Sequence, residues 1–443
     1  MRRARLFARS GSAPADHDPA QRSALWRHRD FLSLWGAETI SQFGTQVSLL
    51  ALPLVAILAL EESSFRVATL TTAEFLPFLL FALPAGVWVD RLRRRPILIL
   101  GDLGRAAALA SVPVAYWLDV LTIWQLYAVG FAAGICTVFF DVAYQSYLPV
   151  LIGREQIVDG NSKLEVSRSA ANIAGPGLAG VLVAALTAPV AILAEALSFL
   201  ASAFLLGLIK KVEEPPPREE RRSMKAELGE GLRYVFTHPY QRGMVAAVAL
   251  SNFFGNVVYS ILLVYAVRGL GLSAATIGIV LAIGNLGTLA AALTAKRISD
   301  RVGVGKTIVY AAGMFGPGTL LIAVAPKDLA IPFLIASGLV VGFGVILFNV
   351  TAISLIQAIT PDRMLGRANA SRRFVVWGVI PVGALVGGVL ASTIGLRETI
   401  FVGALGSLSA MVPILFSPIR SVGKMSELGD QSVPIASASS AQA

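Results

Sequence analysis

Apolar residues in this chain come in blocks of about twenty or more, parted by short polar stretches. Twenty helical residues cross a hydrocarbon core of about 30 Å. The blocks predict twelve transmembrane helices, at 31–60, 65–89, 96–118, 122–149, 164–187, 189–210, 241–267, 273–295, 306–325, 329–357, 374–395 and 397–417. Several exceed twenty residues, which tilt or a kink at an internal proline such as Pro53, Pro77 or Pro381 accommodates. The polar stretches share the cations unevenly. Arg91, Arg93, Arg94 and Arg95 follow the second block, Lys296, Arg297, Arg301 and Lys306 the eighth, and Arg363, Arg367, Arg372 and Arg373 the tenth. The alternate loops are short, with Arg66, Arg268, Lys327 and Arg397 as their main charge. Cations collect in cytoplasmic loops, so both termini are expected in the cytoplasm.

One long polar insert interrupts the pattern, KVEEPPPREERRSMKAELGEGLRYVFTHPY at 211–240. Its three prolines suit a linker. Leu228, Leu232, Val235 and Phe236 then recur at helical spacing among charges, which predicts a short amphipathic helix on the cytoplasmic face. Residues 1–30 carry arginines but no apolar stretch of a cleaved signal peptide, and are expected to be a disordered cytoplasmic arm. Residues 419–443 are expected to be a disordered cytoplasmic tail. The bundles then occupy 31–210 and 241–418.

The two bundles repeat each other. An offset of 208 sets Gly134 on Gly342, Phe140 on Phe348, Ser146 on Ser354 and Asn161 on Asn369; Pro176 corresponds to Pro381 at an offset of 205. The order of charged loop, Asn-bearing loop and Gly-Pro helix is the same in both halves. An even number of spans keeps the repeats parallel, with a cavity at their interface near the midplane. The expected fold is an all-α integral membrane protein of twelve helices in two parallel six-helix repeats. Rocking of one half against the other would give alternating access.

Composition agrees with that fold. The chain of 443 residues is 55% hydrophobic and 14% charged, with mean hydropathy +0.71, against about 25% charged residues in soluble domains. The net charge of +10 lies between apolar blocks, so it reports topology and not nucleic-acid binding. Cys136 is the sole cysteine, and His17, His28 and His238 all fall outside the predicted spans. That leaves no intramolecular disulfide and no cysteine or histidine metal site. No G-x-x-x-x-G-K-[ST] motif is present, so ATP is not the direct energy source. No nucleophile–base set appears, so neither an enzyme nor a cofactor is expected.

The second loop reads GVWVDRLRRR, Gly86–Arg95. It resembles the loop 2–3 signature of the major facilitator superfamily through Gly86, Asp90, Arg91, Arg94 and Arg95, with Arg93 where glycine is usual. A weaker copy at Asp300–Lys306 keeps Asp300 and Arg301, with Lys296 where its glycine would stand. GPGLAG, Gly175–Gly180, resembles the helix 5 motif of drug antiporters. VFFDVAYQSYLPVLI, VDGNSKLE and EGLRYVFTHP resemble the branch that includes macrolide-efflux and enterobactin-exporter proteins. The resemblance covers about 25–420. It implies that Asp90 and its basic neighbours hold the cytoplasmic side shut, and it links the helix 5 motif to exchange. One departure is that helix 4, TIWQLYAVGFAAGICTVFF, lacks the intramembrane Arg of the antiporter motif.

Charges inside the predicted spans lie in the N-terminal half: Glu38, Glu74, Asp102, Arg105, Asp141 and Glu195, with essentially none in helices 7–12. Ionisable groups in a membrane are functional candidates because little else offsets their desolvation. Glu38 and Glu74 lie nearest the helix middles and are the first candidates for substrate-cation or proton sites, followed by Asp141 and Glu195. Asp102 and Arg105 are three apart on one face and are expected to form a structural ion pair steadying the basic loop. Gly175, Pro176, Gly177 and Gly180, with Pro381, Gly383 and Gly387, are small or bending residues at helix-packing positions. Five acids against one arginine point to a cationic or amphipathic substrate. The expected function is proton-coupled efflux of a lipophilic or cationic small molecule, drug-like or macrolide-like, by a monomer in the bacterial inner membrane, with small molecule, protons and lipid bilayer as its partners. A dedicated exporter of a siderophore or other self-made metabolite and a non-transporting membrane sensor remain open.

Overall fold

The computed structural model describes residues 25–89, 91–153, 156–213 and 224–423, and every regular element among them is helical. Among the described residues, twelve helices are long and apolar enough to cross a membrane. They are α1 (Arg29–Ala59), α2 (Ser64–Val89), α3 (Arg94–Trp117), α4 (Ile123–Ile152), α5 (Ile157–Leu186) and α6 (Ala188–Gly207), then α7 (Pro239–Gly269), α8 (Ala274–Val302), α9 (Val304–Val324), α10 (Ala330–Ile359), α11 (Asp362–Thr393) and α12 (Leu396–Leu415). A linker helix, Met224–Thr237, stands between the halves of the sequence.

Local chemistry sets many of the ends. The hydroxyl of Thr122 accepts from Gln125 N at 3.4 Å to open α4, and that of Ser273 accepts from Thr276 N at 3.2 Å to open α8. Gly303 and Gly395, with φ of 96° and 103°, make the tight reversals before α9 and α12. Thr187, between α5 and α6, holds φ 83° and ψ 156°, a region nearly exclusive to glycine. Both first helices of the repeats, α1 and α7, finish in a five-residue π turn, Val55–Ala59 and Tyr265–Gly269.

Packing obeys the repeat. In the first half α1 packs on α5 and α6, α2 on α4, and α3 on α4 and α6; in the second the same pairs recur six helices later. The halves join chiefly through α2 with α11 and α5 with α8, with a smaller contact of α2 on α7. On the face away from the chain's described ends, Leu50 and Leu54 of α1, Leu126 and Ile192 share one apolar cluster with Val264 and Ile277 of the other half. There Arg268 Nη2 also donates to Ile57 O at 3.3 Å.

Several helix ends lie beyond the hydropathy boundaries. Lys296, Arg297, Asp300 and Arg301 lie in the last turns of α8, and Arg367, Arg372 and Arg373 lie within α11 instead of in a loop. A hydropathy block stops where charge begins, but backbone hydrogen bonding continues past it. Residues assigned to arm and tail also pack: Leu25 and Ile419 are fully buried, and Val304 N and Gly305 N donate to Gly423 O and Val422 O. The amphipathic helix is present, docked on α11 through Arg367 Nη1–Glu230 Oε2 at 2.7 Å and a cluster of Val235, Val245 and Ala368.

Candidate functional site

Helical spacing collects the acids of the first half on one lumen. Glu38, Ser41, Gln42 and Thr45 share a face of α1; Glu195 and Phe199 are four apart on α6; Thr137, Phe140 and Asp141 face inward from α4. With Glu74, Phe75 and Phe78 of α2 they line a cavity of about 330 Å³, which Trp377 of α11 closes from the opposite half. Glu38 Oε1 accepts from Gln42 Nε2 at 2.6 Å, while Glu38 Oε2 and Glu195 Oε2 are buried without a partner.

Arg105 donates to Asp102 one turn away, and Asp102 is fully buried. The guanidinium is sandwiched by the rings of Phe140 at 4.3 Å and Phe199 at 4.1 Å. A desolvated contact of this kind is worth about 2 kcal/mol. The Arg105 side chain also lines the cavity, so the pair is more than a brace for the distant basic loop.

Glu74 has no hydrogen bond or ion pair among the described residues, and it lines a second cavity as well. This one, about 220 Å³, lies between the halves, with Gln46 and Thr71 on one side and Tyr259, Ser260 and Asn285 on the other. Glu74 is the one carboxylate on the wall common to both cavities.

Toward the face bearing the chain ends, Phe78 of α2 meets Trp377 of α11, ring centroids 4.8 Å apart. Arg373 lies over Trp377 at 5.1 Å and its Nη2 is 4.0 Å from Asp141 Oδ2. A third cavity, about 370 Å³, opens beside this partition, lined by Gln145, Asn349, Asn369, Arg372 and Arg373. Its arginines correct the expectation that helices 7–12 hold essentially no charge. In the sequence both look like loop residues, because adjacent charges end the apolar block there.

The small-residue motif lies on the seam between the halves. A Cβ at Gly180 would fall 2.6 Å from Ala274 O, so α5 and α8 touch backbone to backbone there; Gly177 faces Ala282 across the same seam, and Gly175 faces Gln46 of α1. Asn285 Nδ2 donates to Asn172 O across it at 2.5 Å. Pro176 lines the second cavity. In α11, Gly383 and Gly387 pack on Phe253 and Val257 of α7 within their own half, while Pro381 O accepts from Thr72 Oγ1 of α2 at 3.2 Å.

The basic stretch is tied down inside its own half. Glu213 Oε1 accepts from Arg94 Nη1 at 2.8 Å, and Glu213 Oε2 from Arg94 N at 2.6 Å, capping α3. Arg95 Nε donates to Leu206 O at 3.0 Å at the end of α6. Neither arginine bridges the halves in this structure. Arg91 is exposed, Gly86 has open space around it, and Asp90 lies outside the described residues. Asp300 and Arg301 are exposed and make no ion pair among the described residues. Glu213 and Trp377 were missed by sequence reasoning: the first sits in an apparent linker, the second in an apolar block where one more aromatic carries no signal.

Comparison with known proteins adds to this geometry. The profile of a family described as transmembrane secretion effector matches residues 21–436. The multidrug efflux pump Tap of Mycolicibacterium fortuitum is 25% identical over 390 residues, 85% of this chain and 92% of that one. Macrolide efflux protein A of Streptococcus pyogenes is 21% identical over 417 residues, 89% and 97%. Among solved structures, a bacterial homologue of the iron transporter ferroportin in its inward-facing state superposes with TM-score 0.70 at 18% identity, covering 87% of this chain and 98% of that one. The nucleoside transporter NupG superposes at 0.70 with 12% identity, over 87% and 98%.

Proposed function

The chain belongs to the transmembrane secretion effector family of major facilitator transporters, and from that membership we propose that it exports a lipophilic or cationic small molecule in exchange for protons. The observation that carries the reading is Glu74, an unpaired carboxyl on the wall shared by the acid-lined cavity and the cavity between the halves. Burial in a low-dielectric lumen disfavours its charged form unless a proton or a cation compensates. One carboxyl cannot hold both at once, so entry of the cation displaces the proton and return of the proton releases the cation. Glu38, Glu195 and Asp141 line the same lumen and extend a proton path away from Glu74. Alternation follows from rocking about the α2–α11 and α5–α8 seams, where small residues and backbone contacts let the halves slide.

The cations near the chain ends support a cytoplasmic location for both termini, and the bacterial relatives support the bacterial inner membrane. The exchange is tested in proteoliposomes with an imposed proton gradient. Glu74→Gln should abolish gradient-driven uptake of a cationic dye while leaving assembly intact, as judged by gel filtration. Flux that still responds to the gradient at the wild-type rate would sink the role of Glu74; wild-type protein that moves nothing would sink efflux itself.

A further inference from the structure

The acid-lined cavity and the cavity beside the partition share two walls of the repeat but carry opposite chemistry. The first and fourth helices of a repeat line both, α1 and α4 in the one and α7 and α10 in the other; α2, α3, α6 and Trp377 complete the first, and α11 with Gln145 of α4 the second. The first presents Glu38, Glu74, Asp141 and Glu195. In the second, Asn349 takes the place that Asp141 has in the repeat, and the other polar lining is Gln145, Asn369, Arg372 and Arg373. All of these offer N–H donors, and no carboxylate lines the cavity among the described residues. Arg373 is held by Trp377 and by Asp141. Arg372 has only the neutral Asn369 Oδ1, to which its Nη2 donates at 2.6 Å. It lies in α11, half-buried, with no counter-charge among the described residues. A guanidinium in such a place is costly without an anion and fits a carboxylate or phosphate through paired N–H donors. Trp377 lines both lumens, so a ligand that displaces its ring from Phe78 spans the two.

We propose that the half-buried Arg372, with Asn349 and Asn369, forms an anion subsite, and that the transported molecule is a zwitterionic amphiphile whose cation faces the acids of the first half and whose carboxylate seats on Arg372. This rests on the efflux reading and narrows its substrate class. Both arms of the molecule are then neutralised by the protein as it enters the lumen, which removes most of the penalty for carrying charge into hydrocarbon. A permanent cation without an anionic group leaves Arg372 uncompensated.

Rhodamine B, which carries a free carboxylate, and its ethyl ester, which does not, separate the two halves of the idea. Binding of each to the full-length protein in neutral phosphatidylcholine nanodiscs is read by fluorescence anisotropy. Wild type should prefer the acid to the ester. Arg372→Gln should lower the acid-to-ester affinity ratio by about tenfold or more, as expected for one lost charge-assisted hydrogen bond. Arg372→Lys should recover part of the ratio, and Asn349→Asp should lower it by repelling the carboxylate. A ratio unchanged by both Arg372→Gln and Asn349→Asp overturns the subsite. Displacement of rhodamine B by added phosphatidylglycerol in wild type but not in Arg372→Gln makes a lipid headgroup the occupant and overturns the substrate assignment. Ester flux driven by a proton gradient, measured in parallel, keeps the readings apart: flux with an unchanged ratio overturns the subsite alone, whereas absence of flux and of binding for either dye overturns both.

Discussion

Arg105 is neutralised from three directions, by Asp102 below it and by the faces of Phe140 and Phe199 on either side. Removing one member of a buried pair leaves the other charge stranded, at about 3–5 kcal/mol, whereas removing both is milder. Arg105→Gln or Asp102→Asn alone should therefore lower the melting temperature of the purified protein sharply, and the double substitution should recover a good part of the loss. Equal loss in the single and double variants would mean that the two side chains act independently. Thr187 illustrates the reverse case. Its φ of 83° and ψ of 156° suit glycine, and such strain is worth about 1–3 kcal/mol, so Thr187→Gly should raise thermal stability. At this scale the sequence was partly legible. Acids inside apolar blocks announce themselves because they break the pattern, which is how Glu38, Glu74 and Glu195 were found. Arg372 and Arg373 escaped because paired charges at a block's edge look like a loop, and Glu213 escaped because it lies beyond the sixth block altogether.

Elements meet at two seams and one joint. At the α5–α8 seam the close approach at Gly180 leaves no room for a branched side chain. Gly180→Val should abolish transport while the protein still inserts in the membrane. Normal transport by that variant would place the moving contact elsewhere. The joint is His238, between the linker helix and α7, whose ring lies against Tyr234 at 5.3 Å and Tyr240 at 5.8 Å. Burial pushes its pKa below the usual value of about 6.5. The undocked state therefore takes up a proton first as pH falls through that value, and acid weakens docking. Protection from hydrogen exchange over 224–237, relative to the intrinsic rate at each pH, should fall below about pH 6.5, and His238→Gln should flatten the dependence. The same acid response in the variant would assign the titration to another group.

At the scale of the whole molecule, the described ends of the chain share one face, and the loop between α1 and α2 shares the other with the loop between α9 and α10. Cysteines placed at Glu62 and Lys327 should react with a membrane-impermeant maleimide on intact cells, whereas one at Arg420 should react only after permeabilisation. The opposite pattern would invert the assigned topology. Duplication and span number were legible in the sequence because hydrophobic length and loop charge are properties of one chain segment at a time. The seams were not, since they depend on which of many small residues face each other across the repeat. One further consequence comes from how each half closes on itself. Glu213 caps α3 just after the first bundle, Gly423 accepts from the start of α9 just after the second, and the linker helix docks on α11 and α7, both of the second bundle. The backbone between 213 and 224 joins two units already finished at their ends. A gene divided there, its two products made in the same cell, should yield a working two-chain transporter, as if the ancestral duplication had never been fused.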